Sequence, residues 1–142
     1  MKRVFIDSSV LFAAAYSNKG YARDLILLGI QKKLQLVIST LVIEETRRNL
    51  ADFAPETIPA LEEIFELIPF EIADPTIEEV LEAANQVVIK DAPILAAAKL
   101  GHVDILATLD KRHFLDHPEL EEFLAGKILK PIDAYKLILT KE

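Results

Sequence analysis

The stretch Val4-Phe5-Ile6-Asp7-Ser8-Ser9 near the start of the chain decides the fold. Three consecutive apolar residues are typical of a short strand that is buried on both faces of a parallel sheet. The apolar run ends at Asp7, and a helical pattern follows it. A carboxylate at the carboxyl end of a central strand would lie where open α/β sheets bind ligands. Asp7 could equally cap the following helix, a role that Ser8 or Ser9 could also fill.

The composition is that of a globular domain with a sizeable core. Of the 142 residues, 51% are hydrophobic, and the 7 prolines and 4 glycines show no low-complexity bias. We therefore expect residues 1–142 to form a single domain. Because the chain has no cysteine, disulfides, thiolate metal ligands and a cysteine nucleophile are excluded. No long apolar segment or signal-peptide pattern is visible, which predicts a cytoplasmic protein with no membrane partner.

The formal net charge of −7 narrows the classes of function. It argues against nucleic-acid binding through a broad basic face, because such binding depends on lysine and arginine neutralising phosphates. It leaves a nucleic-acid enzyme open, because a cluster of acids that holds divalent metal becomes locally positive.

Short apolar runs alternate with helical periodicity along the whole chain. We expect strands at 4–6, 34–38, 69–73, 103–107 and 127–130, with the third at an edge because Pro69 begins it. This alternation predicts a three-layer α/β/α fold with a central parallel sheet and right-handed crossovers. In a sheet of order 3-2-1-4-5, the first and fourth strands are neighbours, and a crevice opens between them.

The segments between the predicted strands read as helices. After the helix that follows Asp7, we expect helices over 21–33, 39–52, 59–68, 74–88 and 93–99, a partly helical segment over 115–126, and a closing helix from 131. Ser39 and Asp74 are the expected N-cap residues of the second and fourth of these helices. Gly101 is expected to end the fifth as a C′ glycine.

The helix over 39–52 contains two adjacent acids with different surroundings. Its apolar stripe is formed by Val42, Thr46, Leu50 and Phe53. Glu45 lies at the margin of this stripe, whereas Glu44 points nearly opposite, where Arg47 and Arg48 could pair with it. Glu44 is therefore expected at the surface. Glu45 is the candidate functional acid, with a surface role as the alternative.

Two further acids lie next to predicted element ends. Asp91 precedes Pro93, which belongs in the first turn of a helix, so capping is a strong alternative for this acid. The alanines that follow would let this helix lie close to a sheet, which brings Asp91 toward the strand ends. Asp110 comes shortly after the fourth strand, just as Asp7 follows the first.

Asp7, Glu45, Asp91 and Asp110 can therefore reach one edge of the sheet. Four carboxylates in one cleft repel each other and would raise each other's pKa, unless a divalent cation lies between them. All-oxygen sites with open water positions favour magnesium or manganese over zinc. Two such ions about 4 Å apart are a common apparatus for in-line displacement at phosphorus.

The residues that carry this pattern resemble the PIN domain family, the RNase-H-like nuclease fold found in VapC-type toxins and some RNA-processing nucleases. The resemblance extends over essentially the whole chain. It is carried, in order, by the stretches Val-Phe-Ile-Asp7-Ser-Ser9, Ile38-Ser-Thr-Leu-Val-Ile-Glu-Glu45-Thr-Arg-Arg-Asn-Leu50, Asp91-Ala-Pro-Ile-Leu-Ala-Ala-Ala98 and Leu106-Ala-Thr108-Leu-Asp110-Lys-Arg-His-Phe114. Each stretch alone is weak evidence, but four in order at family-like spacing are fairly specific.

The resemblance implies metal-binding and catalytic roles for Asp7, Glu45, Asp91 and Asp110. It also implies that Ser9 and Thr108 are polar neighbours that orient water or a carboxylate.

Beside these acids, Lys111 and Arg112 are candidate phosphate contacts, with a solvated loop as the equal alternative. Many family members carry a further acid two or three residues after the position of Asp110, where this chain has Arg112 and His113. This departure leaves open whether one metal or two are bound. His113 could be a ligand or a phosphate contact, although a partly exposed loop histidine is the favoured interpretation; His102 and His117 are expected at the surface.

The function implied is a Mg²⁺- or Mn²⁺-dependent endoribonuclease in which a metal-activated water attacks the phosphodiester. The preference for RNA comes from the family, because nothing in the residues selects the 2′-hydroxyl. A homodimer is plausible by resemblance alone, and an antitoxin partner would follow if the protein is a toxin.

Two other classes of function compete with this one. Phosphoryl transfer through an aspartyl nucleophile is compatible with Asp7, but the dehalogenase-like pattern needs an acid where this chain has Ser9. A receiver-type domain needs paired acids at the first strand and an acceptor acid after the third, and neither is evident. The second rival is a PIN-like module that binds RNA or a protein without cleaving it.

Overall fold

The strand β1 (Arg3–Ile6) lies at the centre of a five-stranded parallel sheet in the computed structural model, which describes residues 1–140. The order is β3-β2-β1-β4-β5, as predicted. Phe5 of β1 is in register with Val37 of β2 on one side and with Leu106 of β4 on the other. Val4, Phe5 and Ile6 are completely buried, because helices cover both faces of the sheet.

The other strands are β2 (Gln35–Ile38), β3 (Glu71–Ile72), β4 (Ile105–Ala107) and β5 (Lys127–Leu129). The helices are α1 (Ser8–Tyr16), α2 (Tyr21–Ile30), α3 (Thr40–Phe53), α4 (Ile58–Leu67), α5 (Ile77–Ala83), α6 (Ala92–Leu100), α7 (Leu120–Leu124) and α8 (Pro131–Thr140). A short 3-10 turn (Pro55–Thr57) precedes α4, and a π-helical turn (Lys111–Leu115) follows β4. Helix α1 packs against α2 and α3, whereas α5 packs against α6.

Helix α6 lies close to the sheet because its inner face is made of alanine. Ala96, Ala97 and Ala98 are buried. Immediately after the helix, a Cβ on Gly101 would lie 3.0 Å from Val37 Cγ1 of β2. The left-handed residue at this helix end is His102, with φ of 49°, and not Gly101 as predicted. Gly101 is therefore required for a close approach to β2, and not for its conformational freedom.

Several predicted boundaries were wrong. The N-cap of α5 is Thr76, whose side chain forms a capping box with Glu79, and not Asp74. The Asp74 carboxylate instead accepts hydrogen bonds from the N–H and hydroxyl of Thr40 at the start of α3. Ser39 does cap α3, by accepting a hydrogen bond from the N–H of Val42.

Other predicted elements are shorter than the periodicity suggested. Helix α5 ends at Ala83, because the amides of residues 85 and 86 bond three residues back and turn the chain toward α6. The third strand contains only two exposed residues, and α2 ends at Ile30. Phe53 was expected on the buried stripe of α3, but it is 62% exposed and packs at the surface against the rings of Phe12 and Tyr16.

Residues 141 and 142, the end of the predicted domain, lie outside the described residues. Within residues 1–140, no helix is both long enough and apolar enough to cross a bilayer. The cytoplasmic location remains a prediction.

The tight entry into β5 gives a test of the packing. A Cβ on Gly126 would lie 2.7 Å from the carbonyl oxygen of Val103 and 3.0 Å from that of Asp104. Because these are backbone atoms of the neighbouring segment, we expect Gly126→Ala to lower the free energy of unfolding by about 1–3 kcal/mol. Urea denaturation followed by circular dichroism would measure this change.

The adjacent residue provides a matched control. Ala125 is exposed and has a φ of 60°, a left-handed conformation that favours glycine. Ala125→Gly should leave the stability unchanged or raise it by up to about 1 kcal/mol. Equal destabilisation by both substitutions would contradict the proposed steric cause.

Candidate active site

Asp7 follows β1 directly, and its carboxylate is bound from three directions. One oxygen, Oδ1, accepts hydrogen bonds from Ser9 Oγ at 2.5 Å and from the N–H of Val10 at 3.2 Å. The other, Oδ2, accepts a hydrogen bond from the hydroxyl of Thr108, beyond the end of β4. Asp7 therefore caps α1, the alternative weighed from sequence, and at the same time connects the ends of two neighbouring strands.

The ionised form of the Asp7 carboxyl is disfavoured by its burial in the metal-free protein. The residue is only 5% exposed, and this burial raises the pKa of its carboxyl above the ordinary value. The hydrogen bonds from Ser9, Thr108 and Val10 act in the opposite direction but do not outweigh the burial. A nearby cation would favour the ionised form.

Two hydroxyl groups join the end of β1 to the segment that carries Asp110. Thr108 Oγ1 donates to Asp7 and accepts a hydrogen bond from the N–H of Asp110 at 3.0 Å. Ser9 Oγ donates to Asp7 and accepts one from the N–H of Leu109 at 3.0 Å. The backbone on which Asp110 lies is therefore positioned by the same two side chains that orient Asp7.

Asp110 lies at the start of the π-helical turn and is close to a histidine. Its Oδ1 accepts a hydrogen bond from the N–H of His113 at 3.0 Å, and its Oδ2 lies 3.1 Å from His113 Nδ1. His113 Nδ1 is also 3.8 Å from Asp91 Oδ2. Asp91, Asp110 and His113 can each offer one ligand atom such that these atoms lie within 4.8 Å of one another.

Asp91 occupies the N-cap position of α6, yet its side chain makes no capping hydrogen bond. The residue is 8% exposed, and its Oδ2 is buried without a hydrogen-bond partner. The ammonium of Lys90 lies 3.9 Å from the other oxygen, Oδ1. A buried, unpaired carboxylate oxygen costs stability and is the kind of group that metal binding satisfies. The residues present thus fit a divalent cation at this place.

Glu45 is not joined to these residues by a direct contact. It lies half-buried in the second turn of α3, whereas Glu44 is exposed, in the relative orientation that was predicted. Within residues 1–140, Glu45 makes no hydrogen bond or ion pair. The expected pairs of Glu44 with arginine are also not formed, because Arg47 bonds instead to Glu62 of α4 at 2.9 Å.

An open cleft of about 350 Å³ leads to Asp91 and His113. Besides these two residues, it is lined by Asn85, Gln86, Val87, Val88, His117 and Leu120. Residues 85–88 were predicted to continue α5, so their contribution to this cleft was not foreseen.

The sequence also did not indicate that His113 would meet Asp91. The favoured interpretation was a partly exposed loop histidine, and the side chain is indeed 28% exposed, but it lies between two of the predicted metal-binding acids. The signal that could have found it is its spacing of three residues from Asp110, which brings the two side chains together in a helical turn. His102 and His117 are exposed, as expected.

The two candidate phosphate contacts differ in their surroundings. Lys111 Nζ lies 2.8 and 3.0 Å from the two carboxylate oxygens of Asp116. Arg112 is exposed, and among the described residues its guanidinium makes no hydrogen bond or ion pair. Arg112 is therefore the more available of the two cations.

Solved structures of other proteins share this fold. The crystal structure of PAE2754 from Pyrobaculum aerophilum superposes with a TM-score of 0.68 at 21% sequence identity, over 98% of this chain and 90% of that chain. VapBC2 from Rickettsia felis, bound to a DNA fragment from its promoter, gives a TM-score of 0.58 at 13% identity, over 90% of this chain and 97% of that chain. A search of curated proteins gave no match.

The sequence profile of the PIN domain matches residues 4–120, a range that includes Asp7, Glu45, Asp91 and Asp110. PIN domains are generally nucleases. The match covers most of the chain and agrees with the sheet order and with the acids at the ends of β1 and β4. This chain therefore belongs to the PIN domain family.

Proposed function

We propose that this protein is a single-domain, divalent-metal-dependent endoribonuclease that hydrolyses phosphodiester bonds of RNA. The observation that carries the proposal is the buried, unpartnered oxygen of Asp91, which faces Asp110 and His113 in a cluster with spacing suited to a metal ion. Family membership supports the nuclease class. A structural role alone would not explain why this oxygen is withdrawn from water without a partner.

Asp7, Glu45, Asp91 and Asp110 are the residues that would hold Mg²⁺ or Mn²⁺. A bound ion of this kind supplies Lewis acidity toward a phosphate oxygen and lowers the pKa of a water molecule. The chain itself contributes the orientation of the acids. Ser9 and Thr108 hold the two oxygens of Asp7 in place, and Thr108 also fixes the amide of Asp110.

Arg112, and Lys111 once it leaves Asp116, are the proposed contacts to the phosphate backbone of the substrate. Both follow Asp110 directly, so a phosphate that they bind lies beside the acids. The choice of RNA over DNA rests on the family. By the resemblance to VapC-type toxins, we further propose a cytoplasmic toxin with a homodimeric form and an antitoxin partner.

The competing function is a PIN-like module that binds RNA or protein without cleaving it. The observation in its favour is His113, which stands close to where many family members carry a further acid. A module of this kind would not need divalent metal, so metal-dependent cleavage separates the two functions.

Adjacent acids on α3 allow a matched test of the catalytic set. Glu45→Gln should lower the rate of cleavage of a single-stranded RNA by at least about 10²-fold in Mn²⁺, if Glu45 contributes to the metal site. Glu44→Gln, one residue away and exposed, should stay within about twofold of the wild type. Cleavage of a fluorescently labelled RNA, with and without EDTA, provides the measurement. Equal rates for both variants would remove Glu45 from the site.

The burial of Asp7 predicts a pH-dependent stability in metal-free protein. Because its folded-state pKa is raised, the protonated carboxyl favours folding at low pH, and this contribution is lost as the pH rises through the folded pKa. Asp7→Asn cannot ionise. We therefore expect the free energy of unfolding of the variant, minus that of the wild type, to increase from about pH 3 to pH 7 in EDTA.

Adding millimolar Mn²⁺ at pH 7 gives the control for this prediction. The ion should raise the melting temperature of the wild type, because a ligand that binds only the folded state stabilises it. The variant should gain little. A difference in stability that does not change with pH would show that the charge on Asp7 is not destabilising.

A further inference from the structure

We propose that the imidazole of His113 is a direct metal ligand, and that this nitrogen donor makes the site prefer first-row transition-metal ions such as Mn²⁺ over Mg²⁺. The proposal rests on the proposed metal-dependent function and specifies its cofactor. His113 is not among the four acids that the sequence predicts as metal ligands.

The local backbone holds His113 at this place. Asp110 precedes the π-helical turn and accepts the N–H of His113 with Oδ1, which anchors the third residue of the turn. The ring then returns toward the acid, so that Nδ1 lies 3.1 Å from Asp110 Oδ2 and 3.8 Å from Asp91 Oδ2. The nitrogen thus lies near oxygens of both acids, which come from different elements of the fold.

A hydrogen bond from His113 explains its short distance to Asp110 but not its approach to Asp91. A proton on Nδ1 could be donated to Asp110 at 3.1 Å, but 3.8 Å is too long for a hydrogen bond to Asp91. Asp91 Oδ2 therefore stays buried and unpaired. One cation bound by Asp91, Asp110 and His113 would satisfy all three side chains, with the ring proton moved to Nε2.

The donor set determines which ions bind best. Mg²⁺ is a hard cation that takes oxygen ligands and demands near-ideal octahedral geometry. Replacing a carboxylate oxygen by an imidazole nitrogen removes one negative charge from the site and adds a borderline donor. Affinity at such a mixed site rises from Mn²⁺ toward the later transition metals, whereas Mg²⁺ gains nothing from the nitrogen. The site should thus discriminate more strongly against Mg²⁺ than an all-carboxylate site.

Mn²⁺ is the probe for the test because it is paramagnetic. Pulsed EPR of metal-free protein loaded with one equivalent of Mn²⁺ should show the ¹⁴N coupling of a directly bound imidazole. The coupling should be absent in His113→Ala. His117→Ala is the matched control: His117 lines the same cleft but is paired with Glu119, and its removal should leave the coupling intact.

Affinities from calorimetric titration give a second, independent result. His113→Ala should weaken Mn²⁺ binding by at least about tenfold while changing Mg²⁺ binding much less. His113→Asp should strengthen Mg²⁺ binding relative to Mn²⁺, because it restores an oxygen ligand. Neither measurement requires a substrate or an active enzyme.

The outcomes separate this inference from the proposed function. If Mn²⁺ binds without ¹⁴N coupling, or if His113→Ala weakens Mn²⁺ and Mg²⁺ binding by the same factor, His113 is not a ligand. Metal-dependent RNA cleavage could then still stand. If the wild type binds neither ion and cleaves RNA equally well in EDTA, both the inference and the proposed function fail.

Discussion

The hydrogen bond from Thr108 to Asp7 is the interaction on which the geometry of the site depends. Asp7 follows β1 and Thr108 follows β4, so this bond joins side chains at the ends of the two neighbouring strands where the strand order reverses. Thr108 is completely buried, and its hydroxyl also accepts a hydrogen bond from the N–H of Asp110. Because the hydroxyl is both donor and acceptor, the positions of the two acids are coupled: a shift of one strand end moves both carboxylates.

The buried carboxylates of Asp7 and Asp91 destabilise the metal-free protein, and the packing of the surrounding fold offsets this cost. Asp7 is buried with a raised pKa, and Asp91 keeps an oxygen without a partner. The buried β1, the alanine face of α6 and the close contact of Gly101 with β2 supply compact packing around these acids. Such a division between a well-packed scaffold and an electrostatically unfavourable site is typical of ligand-binding sites, because groups arranged for a ligand are not arranged for the empty protein.

The sequence was informative where a local pattern has one structural solution. Runs such as Val4–Ile6 are buried on both faces, so β1, β2 and β4 and their order were predictable, and the end of each strand located Asp7 and Asp110. The end of α5 could not be predicted, because Val87 and Val88 continue the helical spacing of apolar residues. In the structure the amides of residues 85 and 86 bond to carbonyls three residues back, and the helix ends. The meeting of His113 with Asp91 depends on how the π-helical turn packs beside α6, which no local pattern encodes. Glu45 was placed on the correct side of α3, but its distance from the other acids is a tertiary property.

The contact between Asp74 and Thr40 has a consequence for which acid of α3 can face inward. Asp74 lies just beyond the edge strand β3. Its two carboxylate oxygens accept hydrogen bonds from the N–H and the hydroxyl of Thr40, the first residue of α3. Successive residues of a helix point about 100° apart, so a slip of one residue at this end could bring Glu44 into the direction that Glu45 now has and turn Glu45 away from it. The two hydrogen bonds to Asp74 therefore oppose rotation of α3 about its axis. Together with the burial of Val42, Thr46 and Leu50, this contact at the edge of the sheet helps to keep Glu45 as the half-buried glutamate of α3.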